Sequence, residues 1–212
     1  VASVENGAVL PIYILDDTNP GEHKLGSASR IWLHQSLEKL NKKFKNNLKF
    51  FKGNPIDILA NICETEKIYK IFWNRVYEPW SIQRDKKIKD TLKVKGIDIN
   101  SFNGSLLWEP WEVLKNDGTP YRVFTPYYRR GCLRAKEPRA PMNTPNKFDY
   151  YELKKIISID ICNLNLLPKH NWKDKIIKNW KIGEDAAQER LEEFVHNELD
   201  GYKDGRNFPN RK

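Results

Sequence analysis

Ile71-Phe72-Trp73-Asn74-Arg75-Val76-Tyr77-Glu78-Pro79-Trp80-Ser81-Ile82-Gln83-Arg84-Asp85 passes from a short apolar run, through a polar turn, into the start of a basic helix. Ile71 to Trp73 reads as a buried strand. Glu78-Pro79 reads as the turn that ends it, because proline's fixed φ suits the first turn of a helix and not its interior. Side chains that follow a strand and precede a helix collect at the carboxyl edge of an open α/β sheet, where such folds bind ligands. This stretch therefore points to a fold class and to a place to look for function.

The same alternation extends on both sides. Val9 to Leu15 reads as a strand, and Ser29 to Phe44 as a helix with Ile31, Leu33, Leu37, Leu40 and Phe44 at helical spacing. Leu48 to Phe51 follows as a strand, Pro55 to Thr65 as a helix, Ile68 to Trp73 as a strand, Ser81 to Lys95 as a helix and Ile97 to Phe102 as the last strand. Val1 to Gly7 reads as the last turn of a helix closed by glycine. Strands alternating with helices imply parallel βαβ units, hence an α/β fold with a Rossmann-like doubly wound parallel sheet. From Lys136 to Lys181 the chain is rich in Pro, Asn and Lys, which predicts a long connector over the surface rather than core. Gly183-Glu184-Asp185-Ala186-Ala187 then opens an amphipathic helix with Ala187, Leu191, Phe194, Val195 and Leu199 on one face, followed by the segment Tyr202 to Pro209.

With 212 residues, 39% apolar and 12% aromatic, the chain can bury a core. No apolar run approaches the length that spans a bilayer, and no charged-then-apolar leader is visible, so the expectation is a cytoplasmic protein with no membrane partner. Cys63, Cys132 and Cys162 make neither a disulfide framework nor a zinc pattern. His34 and His196 lack partners at metal spacing, so no metal site is expected. The net charge of +9 suits a polyanion partner. Abundant Lys, Asn and Ile, as AT-rich codon usage produces, would account for the same charge without one.

The Asn74-Arg75-x-Tyr77-Glu78-Pro79 turn with the following Arg84-Asp85 resembles a signature of the photolyase/cryptochrome family. Three further features are similar. They are the loop Asn116-Asp117-Gly118-Thr119-Pro120-Tyr121-Arg122-Val123-Phe124-Thr125-Pro126, the Gly183-Glu184-x-Ala186-Ala187 helix, and the Tyr202-x-x-x-Arg206-x-x-Pro209 segment. The resemblance is to class I type deoxyribodipyrimidine photolyases. It implies an antenna-binding α/β domain over residues 1–135, an interdomain connector over 136–181, and over 182–212 the first helix of an all-α FAD-binding domain. The family's first strand and most of its first helix have no counterpart here, and the chain opens on Val1. The expectation is an N-terminal fragment of a longer gene product, either marginally stable or closing its sheet in an altered order. As a partner state, a monomer is expected, with association through the unpaired sheet edge as the alternative.

What the resemblance implies for chemistry is a light-dependent DNA repair lyase. In it, photoexcited reduced FAD donates an electron to a cyclobutane pyrimidine dimer flipped out of damaged DNA, and a carbon–carbon ring is split. No catalytic residue of that machinery falls within the chain, so this stretch alone is expected to be inactive. Tyr202 aligns with a tyrosine that contacts FAD, and Arg206 with an arginine that meets the DNA backbone. Read locally, the same residues are a tail whose tyrosine packs and whose arginine is solvated. Trp80 and Ser81 stand where folate-binding members carry an Asn-Glu pair. Trp80 could stack on a flat pigment, and Ser81 could cap the helix while donating a hydrogen bond. The antenna is then methenyltetrahydrofolate, 8-hydroxy-5-deazaflavin, a flavin, or absent. Asn74, Tyr77 and Glu78 read otherwise as a structural turn, with Glu78 paired to Arg75 or Arg84. Ser27-Ala28-Ser29-Arg30 is similar to the family's loop at the mouth of the antenna cleft, and by plain chemistry is an N-cap. Trp32, Trp73, Trp108 and Trp111 read as core or interface anchors. A cryptochrome, or a free-standing nucleotide-binding α/β module, are the rival readings.

Overall fold

A computed structural model of the chain describes residues 7–143, 145 and 148–209. The helical turn expected before Gly7 lies outside the described residues. The longer elements run in the order β1 (Ala8–Val9), β2 (Ile12–Leu15), α1 (Ser27–Lys43), β3 (Lys49–Lys52), α2 (Pro55–Glu66), β4 (Lys70–Asn74), α3 (Pro79–Val94), β5 (Asp98–Phe102), β6 (Asp149–Tyr150), α4 (Trp172–Asn179) and α5 (Glu184–Asn197). This is the α/β alternation expected from the sequence. Every ladder is parallel: β1 with β6, β2 with β3, and β4 with β5. The last two pairs are joined through α1 and α3, as parallel neighbours require. Among the described residues the strands make three two-stranded parallel sheets.

Val9 to Leu15 is not one strand. Pro11 has no N–H to give a ladder, so β1 and β2 separate around Leu10-Pro11, while the Pro11 carbonyl still accepts from Lys49 N–H at 2.9 Å. The chain forms two compact units, one of residues up to Val9 with Pro55–Ile156, the other of Leu10–Asn54 with Ile157 onward.

In the first unit α2 buries Pro55, Leu59, Ile62 and Cys63, and α3 buries Ser81, Asp85, Ile88 and Leu92, a single stripe at helical spacing. Gly104 lies against Asn74: a Cβ there would come within 2.4 Å of the Asn74 Cγ, so the loop after β5 passes as closely as it does because residue 104 has no side chain. Glu66, the last residue of α2, is buried. Its carboxylate accepts the backbone N–H groups of Lys154 (3.1 Å), Lys155 (2.8 Å) and Ile156 (2.9 Å) and the Tyr151 hydroxyl (3.0 Å).

In the second unit Leu15, Leu37, Leu48, Phe50, Leu164 and Leu166 form one core cluster. This corrects the expectation that residues 136–181 contribute no core. A short 3-10 turn, Ile161–Leu164, capped by the Asp160 carboxylate on Cys162 N–H at 2.8 Å, turns Leu164 inward, and Ile159 N–H bridges to the Phe50 carbonyl at 3.0 Å. On α1 the buried positions are Ile31, His34 and Leu37. Leu40 is exposed and His34 takes an inner place beside Glu38, its Nε2 3.5 Å from the carboxylate. The cap before Ser27 is Gly26 without a side-chain bond, so the Ser27 and Ser29 hydroxyls do not cap α1. Arg30 instead holds Asp17 through a bidentate pair, with distances of 2.5 and 3.2 Å.

Candidate functional site

The parallel strands β4 and β5 end side by side, and Arg75 N–H extends their ladder to the Phe102 carbonyl at 2.8 Å. Beyond these carboxyl ends opens a cleft of about 600 Å³ walled by Arg75, Phe102, Asn103, Trp108, Glu109, Trp111 and residues 135–139. That volume lies within the range of small-molecule sites. Two bonds fasten the far wall: Trp108 Nε1–H donates to the Lys136 carbonyl at 2.7 Å, and Arg139 donates to the Asn103 carbonyl at 3.0 Å.

Glu109 organises the floor. It is buried, and its Oε1 accepts from both Nε and Nη2 of Arg75, the former at 3.0 Å, while its Oε2 accepts the Tyr77 hydroxyl at 2.6 Å. The remaining Arg75 nitrogen, Nη1, donates to the Ser101 carbonyl. Burial and the Glu109 carboxylate raise the Tyr77 phenol above its ordinary pKa, so it stays a donor. With its in-plane donors engaged, the Arg75 guanidinium lies 5.7 Å from the centroid of the Trp111 ring, and Trp111 is 59% exposed. The result is a fixed cation backing a flat, accessible aromatic surface, a geometry suited to a planar, electron-rich heteroaromatic group. Glu109→Ala leaves a half-buried guanidinium and a phenol without their acceptor; the expected loss is about 2 kcal/mol of stability, read from the urea midpoint.

Arg75 pairs with Glu109 and Arg84 with Asp85. Glu109 lies 34 residues from Arg75 in sequence, and no local pattern announces the pairing. Asp85 also accepts the Trp73 Nε1–H at 3.0 Å, which makes Trp73 a half-buried strut rather than a core residue. Trp32 and Trp111 are exposed, Trp32 meeting Trp180 edge to face at 5.7 Å.

Trp80 and Ser81 do not line the cleft. Helix α3 begins at Pro79, with Glu78 in the cap position, so Ser81 lies inside the first turn and is not the cap. Its hydroxyl is buried and without a partner among the described residues. The Trp80 ring carries the Arg84 guanidinium 5.0 Å from its centroid. In the second unit Tyr202 is half exposed, packed edge to face on Phe194 at 5.5 Å, and the exposed Arg206 lies over it at 5.7 Å. The structure thus joins Tyr202 and Arg206 in one contact. No helix among the described residues is long and apolar enough to cross a membrane.

The family model described as DNA photolyase matches residues 1–146. The chain is 34% identical to a deoxyribodipyrimidine photo-lyase of Agrobacterium fabrum over 99% of its own length and 44% of the relative's. It is 29% identical to Cryptochrome-2 of Arabidopsis thaliana over 95% of its length and 34% of the relative's. The crystal structure of a bacterial class III photolyase from Agrobacterium tumefaciens superposes with a TM-score of 0.89 at 33% identity, covering 99% of this chain and 44% of that one. The chain spans less than half the length of these relatives. Parallel strand–helix units, a ligand-sized cleft at the carboxyl ends of β4 and β5, and a family match across most of its length place this chain in the DNA photolyase family, the photolyases and cryptochromes.

Proposed function

We propose that this chain forms the light-harvesting front region of a light-dependent DNA repair flavoenzyme, the parent protein splitting pyrimidine dimers in damaged DNA with photoexcited reduced FAD. The observation that carries the reading is the cleft beyond β4 and β5, where Arg75, locked by Glu109, backs the open face of Trp111. A planar antenna pigment, methenyltetrahydrofolate or a deazaflavin, would stack there. Arg75 and Trp111 are its contacts in place of Trp80 and Ser81, because the former line the cleft and the latter do not, the Ser81 hydroxyl being buried. Tyr202 and Arg206 stand for the flavin and DNA-backbone contacts that open the helical domain. An arginine suits the latter because its fork can hold a phosphate with two charge-assisted bonds.

The test is an absorption and fluorescence titration of the purified chain with methenyltetrahydrofolate, 8-hydroxy-5-deazaflavin and FAD. Saturable binding of one of the first two is expected, weakened about tenfold by Trp111→Ala, with no stoichiometric retention of FAD. Stoichiometric FAD, or pigment binding indifferent to Trp111, would contradict the reading. Similarity to Cryptochrome-2 supports a second reading, a flavin photoreceptor that signals rather than repairs, in which the same cleft serves the same pigment.

A further inference from the structure

The segment from Tyr121 to Lys136 is unlike the rest of the surface. Between Gly118 and Lys136 the sequence contains no Asp or Glu, yet it carries Arg122, Arg129, Arg130, Arg134 and Lys136. All four arginines are exposed and none forms an ion pair among the described residues. In the same strip Phe124 is 73% exposed, and its ring stacks in parallel with that of Tyr128, at 5.9 Å and an interplanar angle of 7°. Exposed apolar surface of this kind marks interaction sites.

The backbone explains how they come together. Helical turns begin at Phe124, widen into a π turn over Tyr127–Gly131, and tighten again over Cys132–Arg134. Such widened turns are uncommon and concentrate at functional sites. Gly131 packs where a Cβ would meet Val113 Cγ1 at 2.6 Å, which pins the turn to the body of the unit. With the turn pinned, one short stretch of chain carries the stacked aromatic pair and the exposed arginines.

We propose that this strip binds single-stranded DNA, Phe124 and Tyr128 extending a stack of unpaired bases while Arg122, Arg129, Arg130 and Arg134 neutralise the phosphates along it. Charge complementarity selects a polyanion, and the parallel ring pair selects one whose bases are free to stack. A duplex hides its base faces and offers the rings nothing. The stacked rings and the four arginines do not line the cleft, and the inference does not depend on the pigment.

The test is fluorescence anisotropy of the full chain with a labelled fifteen-nucleotide oligo-dT, its duplex with oligo-dA, and the RNA equivalent (the length chosen to span about one binding site). Single-stranded DNA should bind tightest. Phe124→Ala and Tyr128→Ala should each weaken it about tenfold. Arg129→Ala/Arg130→Ala should reduce the slope of log K against log salt by about 1.4. The control Lys86→Ala/Lys87→Ala removes the same charge from exposed positions on α3 and should leave affinity within about twofold, while circular dichroism verifies that every variant folds. Equal losses in the lysine control, tighter binding of duplex or RNA, or a chain that dimerises through Phe124 and ignores DNA would each overturn the proposal.

Discussion

Leu164→Ala is expected to destabilise the protein by about 3 kcal/mol, a fall in Tm of roughly 6–12 °C, although the residue lies in a stretch whose composition reads as surface connector. Leu164 is 0% exposed and packs among Leu15, Leu37, Leu48 and Phe50. Truncating it removes the transfer free energy of three carbons and leaves a cavity that the rigid β2–β3 ladder cannot collapse to fill. Ile157, seven positions earlier, is 92% exposed. Ile157→Ala should shift stability by less than about 0.5 kcal/mol. Equal urea midpoints for the two variants would mean that the connector does not belong to the core.

The second large effect belongs to Glu66. A carboxylate in the last turn of a helix sits at the unfavourable end of the helix dipole, so its placement must be sustained by its other contacts. Burial alone would push its pKa up. The backbone N–H groups of Lys155, Lys154 and Ile156, with the Tyr151 hydroxyl, outweigh burial and hold it down from the ordinary 4.5 to about 2. Because the folded value lies below the unfolded one, the unfolded chain takes up this proton first. The stabilisation is therefore complete above pH 4.5 and is lost as pH falls from there to about 2. Glu66→Gln should lower Tm by several degrees at neutral pH and flatten the fall in Tm on acidification. It should also speed hydrogen exchange at Lys154, Lys155 and Ile156 selectively. Parallel Tm-against-pH curves for wild type and variant across that window would remove Glu66 from the account.

Much of this was legible in the linear chain. The apolar patterns located β3 to β5 and α1 to α3 within two residues at every end, because hydrophobic periodicity is a local property of each element, whereas the break at Pro11 that separates β1 from β2 was read as continuous strand. The turn after β4 could be read as the place for a site, since a strand–turn–helix junction carries its own proline and polar signals. Its partners could not be read. Glu109 reaches Arg75 from a loop after the next strand, and Trp111 arrives with it, so the cation and its aromatic face exist only once β4 and β5 pair in register. Trp80 and Ser81, put forward by resemblance to the Asn-Glu pair of folate-binding members, do not line the cleft, and the pitch of α3 turns Ser81 into the core stripe with Asp85, Ile88 and Leu92.

By itself the sequence determined the α/β class, the order of its elements, the family, and the strand end at which to seek a ligand, all of which rest on local periodicity, turn chemistry and short motifs. Only the tertiary structure decided that Leu164 and Leu166 are core, that Glu66 holds the chain at residues 154–156, and that Glu109 and Trp111 complete the cleft. Burial and ion pairing are contacts between residues distant along the chain, and a contact has no signature until folding brings both partners to one place.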